Sequence, residues 1–277
     1  TYELLDRRGR PHRYEPERAV KPLEALFRLT LAQVEGTYLA CRLALSEKAL
    51  KPGFCYYLGG GMHHARYDRG AGFCLIHDIV IAARKLQAEA WAQRIWIIDL
   101  DAHKGCGTAE LVHFARMRED IKGEEDTDTA LEIHTLSIHM ARGWPLDEET
   151  LQATPLDRAP WIQSDVEIGI EAGAEDTYVP ELVRGLELLE TRTSNRPPDL
   201  AIVVDGADPY EHDGLPSSSL INLSLKRCIE RDQLVYRYLQ ERGIPSAWLM
   251  AGGYGERAWE PNGYFLKTLR DTDKTPD

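Results

Sequence analysis

Residues 95–103 read Ile95-Trp96-Ile97-Ile98-Asp99-Leu100-Asp101-Ala102-His103. Four consecutive apolar side chains fit a strand covered on both faces, and the acidic residues after them mark its carboxyl end. A strand covered twice needs helices above and below, the environment of a parallel α/β sheet. The pattern recurs on both sides of this stretch. Phe54-Cys55-Tyr56-Tyr57-Leu58 reads as a buried strand that stops at Gly59-Gly60-Gly61. Ile133-His134-Thr135-Leu136-Ser137-Ile138, Leu200-Ala201-Ile202-Val203-Val204 and Ala247-Trp248-Leu249-Met250 read as further strands, with 165–170 as a sixth member. Helical spacing predicts helices over 20–49, 76–90, 178–190 and 226–242, the last closed by Gly243-Ile244-Pro245. The polar segment 119–130 reads as an exposed loop. No repeat or low-complexity linker divides the chain, so 1–277 is expected to be a single α/β domain with a mostly parallel central sheet and helices on both faces.

The residues able to do chemistry cluster just past strand ends, where open α/β sheets place their sites. Asp101 and His103 are two apart, so in extended geometry they point to one side. With Asp208, in Gly206-Ala207-Asp208, they make two carboxylates and one imidazole, a three-ligand set for a divalent metal with a position left open. Asp99 has the same parity, but carboxylates cannot crowd a dry site uncompensated, so it needs a histidine or a second cation. His63 and His64 follow a glycine run that lets backbone approach a ligand closely. They titrate near neutral pH and suit proton transfer. The run is no phosphate loop, since no Gly-Lys-Ser/Thr follows. Tyr254, in Ala251-Gly252-Gly253-Tyr254-Gly255, is placed to donate to an oxyanion. Taken singly, these also read as solvated turn acids, core histidines and a packed aromatic; their shared topological position favours a metal-assisted hydrolytic site.

Composition narrows the partners. The 277 residues carry 43% hydrophobic and 28% charged side chains, an ordinary globular balance. A net charge of −12 disfavours nucleic-acid binding and mildly favours cationic substrates. No apolar run is long enough to span a bilayer and no secretory leader is visible, although the chain starts at Thr1. Five cysteines without a CxxC pair argue against a disulfide framework or structural zinc site, and a cytoplasmic setting is expected. Oligomeric state is left open.

The combination of GGGMHHARYDRGAGFC, IIDLDAHKGCGT, TLSIH, DGADPYEHDGL and AGGYGER resembles the histone deacetylase superfamily over about Val34 to Phe265. That superfamily includes bacterial acetoin-utilisation proteins and acetylpolyamine amidohydrolases, and the details look most like its class IV branch. The resemblance implies a three-layer arginase-like fold and zinc held by Asp101, His103 and Asp208, with Fe(II) or Mn(II) as alternatives. It implies that His63 and His64 form the catalytic pair, with His64 as general base and acid, Asp99 orienting His63, and Tyr254 binding the substrate carbonyl. Asp99 and Ser137 match a structural potassium site. Gly72, Phe73, Trp144, Leu215 and Gly252 match the wall of an acyl-lysine tunnel. The implied activity is hydrolysis of an acyl-lysine amide; an acetylpolyamine or related acylamine hydrolase, and a catalytically weak acyl-lysine-binding protein, are the alternatives.

The chain departs from the family at two positions. Lys104 stands where His or Gln is usual, and Cys106 stands where Asp or Asn supports the second histidine. A thiol is a weak partner. On this reading His64 loses orientation, and Asn or Asp at 106 should raise the rate; a thiolate would instead restore the missing charge.

Overall fold

A computed structural model of the chain describes residues 23–46, 52–122, 132–148 and 161–272. In chain order the elements are α1 (Leu23–Ala44), β1 (Phe54–Tyr57), α2 (Asp78–Ala88), β2 (Ile95–Asp99), α3 (Cys106–Lys122), β3 (Ile133–Met140), β4 (Val166–Ile170), α4 (Tyr178–Arg192), β5 (Leu200–Asp205), α5 (Leu225–Glu241), β6 (Ser246–Met250) and α6 (Glu260–Thr272). The six strands form one sheet in the order β1-β6-β5-β2-β3-β4, and every pairing is parallel.

The run Ile95–Asp99 is buried at every position, as its continuous apolar character requires. Its side chains alternate between two cores. Trp96 and Ile98 join Leu136, Val203, Leu186, Val235 and Phe265 on the face covered by α4, α5 and α6. Ile95 and Ile97 join Ile202, Leu249, Cys41, Ile79 and Val112 on the face covered by α1, α2 and α3. The result is three layers, helix on sheet on helix. Strands β2 and β5 lie side by side in the middle, so the loops after Asp99 and Asp205 open at the centre of the sheet's carboxyl edge.

Several expectations are corrected. The first strand is only partly buried, and Leu58 after it is 68% exposed, because β1 is an edge strand. The segment expected as a loop from 119 is still helical to Lys122; 123–130 lies outside the described residues. The expected ends of the first helix, 20–22 and 47–49, also lie outside them. Helix α3 lacks a legible apolar stripe because its buried first turns carry Gly107, Thr108 and Glu110, while Phe114 and Met117 face outward. Helix α6 hides behind Glu260-Pro261-Asn262-Gly263; the proline sits in the first turn, where no helical N–H is lost.

The N-terminus of α2 leads to a pH prediction. His77 caps it, accepting from Val80 N at 3.3 Å, and its Nε2 lies 3.0 Å from Thr108 Oγ1. Burial, reinforced by His63, pushes the imidazole down to about 3. Below the free value of about 6.5 the unfolded chain takes up a proton that the folded chain refuses. Stability therefore falls as pH drops through about 6.5 and keeps falling to about 3. His77→Asn keeps a cap acceptor without the titration. Urea denaturation between about pH 6 and 4 should give the variant a shallower acid decline; equal slopes would refute the buried neutral imidazole.

Candidate metal centre

Past β2 the chain does not continue extended. Residues 101–103 form a bend in which His103 N donates to Asp101 Oδ1 at 2.9 Å. The expected pleat parity is thus replaced by a turn, and that turn brings both side chains together: His103 Nδ1 stands 3.2 Å from Asp101 Oδ1. Asp208 arrives from the loop after β5, with Oδ2 at 2.9 Å from His103 Nδ1 and Oδ1 accepting from Ala102 N at 2.9 Å. Ligand atoms of Asp101, His103 and Asp208 all lie within 4.8 Å of one another, and all three residues are buried.

The chemistry of this donor set fits a divalent cation. Burial opposes charge on His103, yet hydrogen bonds to Asp101 and Asp208 push the imidazole up to about 10. Burial and the Asp101 charge push Asp208 up to about 7. Buried carboxylates that demand positive charge and share one point of convergence are what a cation site requires. The backbone makes room for it. A Cβ on Gly252 would meet Asp101 Oδ2 at 2.5 Å and Asp208 Oδ2 at 2.8 Å, and Gly252 N donates to Asp101 Oδ2 at 3.0 Å. Gly252→Ala should lower zinc affinity about 10- to 100-fold, read by competition with a chelator; native affinity would show that the carboxylates do not depend on this glycine.

The histidine pair lies against the same carboxylates. His63 Nδ1 is 2.7 Å from Asp99 Oδ2, and His63 Nε2 is 3.6 Å from Asp101 Oδ1. Burial depresses His63, but Asp99 and Asp101 outweigh it and push the imidazole up to about 9. His64 goes the other way: burial, then the neighbouring His63, hold it well below the usual imidazole range. The two adjacent imidazoles are therefore pushed in opposite directions, His63 up and His64 down. Asp99 Oδ1 also accepts from Asp101 N at 3.2 Å, and Ser137 is its register partner on β3.

Trp144 stacks edge-on to His64 at 4.6 Å between ring centroids and to His103 at 5.7 Å. Gly72 has φ +50°, and a Cβ there would collide with the rings of His64 and Trp144. Phe73, 52% exposed, lies 5.5 Å from the Tyr254 ring. The loops that carry Tyr254 and Leu215 are joined through the backbone, Gly214 N donating to Tyr254 O at 2.7 Å.

Three groups around the site escape sequence reading. Asp213 accepts from Tyr254 N at 2.6 Å and from Leu215 N at 2.8 Å, tying two loops together. Arg231, from α5, lies beneath the strand ends and bonds Asp205 and the carbonyls of Leu100 and Gly206. Arg66 reaches Cys106. Two of them lie within quoted motifs, Asp213 five residues after Asp208 and Arg66 two residues after His64, and that is the available signal.

A model of the histone deacetylase domain matches residues 9–262. An uncharacterised protein of Picosynechococcus is 32% identical over 82% of this chain and 63% of its own length. Histone deacetylase 2 of Arabidopsis thaliana is 30% identical over 80% of this chain and 48% of its own length. The chain thus spans less than two thirds of either relative. In fold it is similar to the crystal structure of acetylpolyamine aminohydrolase from Burkholderia pseudomallei, with a TM-score of 0.62, 20% identity, and coverage of 87% of this chain and 62% of that one.

Proposed function

Because this chain belongs to the histone deacetylase superfamily, we propose that its residues 1–277 form a single metal-dependent deacylase domain that hydrolyses acyl-lysine amides. The observation that carries this reading is the convergence of buried Asp101, His103 and Asp208 beside the His63–His64 pair. These three residues would hold zinc, or Fe(II) or Mn(II), which supplies Lewis-acid polarisation of the amide carbonyl and acidifies the attacking water.

The chain's own groups do the rest. His64, kept neutral, takes the water proton and returns it to the departing lysine amine. His63, charged against Asp99, offsets the two ligand carboxylates without competing for that proton. The Tyr254 hydroxyl donates to the developing oxyanion, its loop held by Asp213. Trp144, Gly72, Phe73, Gly252 and Leu215 form the passage for the acyl-lysine stem. Asp99 and Ser137 would hold a structural potassium ion. Among the described residues no helix is long and apolar enough to cross a membrane, and a cytoplasmic protein without nucleic-acid partners remains our reading. The net charge of −12 also suits a second substrate class, cationic acylamines such as acetylpolyamines.

Purified protein of measured metal content, assayed on acetyl-lysine peptides, longer acyl-lysine peptides and acetylpolyamines, tests the proposal. Turnover should appear on at least one acylated amine and be blocked competitively by a linear acyl-hydroxamate. A zinc-loaded protein that turns over none of them and binds no hydroxamate at about millimolar concentration, the weak end of specific binding, is not a deacylase.

A further inference from the structure

Cys106 is the first residue of α3 and is fully buried. Its sulfur lies 3.5 Å from His64 Nδ1 and 3.7 Å from Arg66 Nη2. Arg66 is itself anchored: Nη1 lies 3.5 Å from Glu110 Oε2, and the Arg66 amide donates to Arg69 O at 2.8 Å. The other oxygen of Glu110 accepts from Tyr67 N at 3.3 Å. The end of α3 is bolted to the histidine pair, because Gly107 N and Thr108 N both donate to His63 O, at 3.0 and 3.1 Å. A Cβ on Gly107 would strike the carbonyl oxygen of Ala65 and the backbone of His64, so this approach needs glycine. Sulfur and imidazole are therefore held together by backbone, not by chance side-chain rotation.

We infer that Arg66 and Cys106 form a positioning pair for His64: the guanidinium donates to the Cys106 sulfur, and the sulfur accepts the Nδ1–H of His64, which leaves Nε2 as the atom that takes a proton. This rests on the reading of His64 as general base. A guanidinium carries donors only, so the sulfur must be the acceptor in that contact. An S–H donating to Nδ1 would put the imidazole proton on Nε2, the tautomer that cannot act as a base there. Arg66 thus assigns an acceptor role to the Cys106 sulfur, and the departure at 106 need not weaken the site.

The test is nitrogen NMR of the imidazoles in zinc-loaded protein, together with kinetics. The native protein should show His64 in the Nδ1–H tautomer. Arg66→Met combined with Glu110→Gln removes the guanidinium without stranding a buried carboxylate. This double variant should lose the tautomer preference and about 10- to 100-fold in kcat with KM little changed. Adding Cys106→Asp, an acceptor that needs no guanidinium, should restore both. If the double variant does not fold, Cys106→Ala serves, and it too should lose the Nδ1–H preference and kcat. An Nε2–H tautomer in the native protein, or native kcat in Cys106→Ala, overturns the inference. Failure of the deacylase reading looks different: no turnover on any substrate, with the Nδ1–H tautomer intact.

Discussion

Asp208→Ala is expected to yield a folded protein that retains no divalent ion and has lost deacylase activity by on the order of a thousand-fold or more. Asp208 contributes one of two carboxylates in the converging set, and its Oδ2 is the oxygen nearest His103 Nδ1, at 2.9 Å. Without it, a cation is left with one carboxylate and one imidazole. The fold should survive. Burial and Asp101 already push the Asp208 carboxyl up to about 7; the contacts given up are the hydrogen bond from Ala102 N and the one with His103 Nδ1. Elemental analysis after zinc loading and dialysis, with circular dichroism as the folding control, gives the answer. One full equivalent of zinc bound to the variant would show that the ligand set is wrong.

Arg231→Met is expected to destabilise the protein by about 3–5 kcal/mol, the range for removing one member of a buried ion-pair network. Arg231 is fully buried. Its guanidinium bonds Asp205 Oδ1 at 2.8 Å, Asp232 Oδ1 at 2.6 Å, Leu100 O at 3.1 Å and Gly206 O at 2.9 Å. Methionine fills most of the volume but leaves two buried carboxylates without their cation. Burial already pushes Asp232 well upward even with Arg231 beside it. Leu100 and Gly206 open the loops that carry the candidate ligands, so loosening this knot should also weaken metal binding. A urea midpoint within error of the native value would mean that the network contributes nothing net. Arg231→Met with Asp232→Leu should recover part of the loss, since that pair removes charge from both sides.

Residues 95–99 by themselves determined the sheet, because a strand covered by helices on both faces has no polar positions to interrupt its apolar run. They also located the site, since polar side chains and glycines directly after such runs have nowhere to lie but the carboxyl edge; Asp101, His103, Asp208 and the His63–His64 pair all do. Local pattern failed where the buried surface is not apolar. Helix α3 buries Gly107, Thr108 and Glu110 against the histidine pair, so its inward face carries no hydrophobic period. The same holds for contacts made between distant segments. Arg231 stands within the helix expected over 226–242, and only packing of α5 beneath the ends of β2 and β5 shows that it is completely buried. Arg66 and Cys106 are forty residues apart. Which element forms is a matter of neighbouring residues and their spacing. Which charges meet in the interior follows from strand order and from how each helix end seats on the sheet, and only the assembled structure sets those.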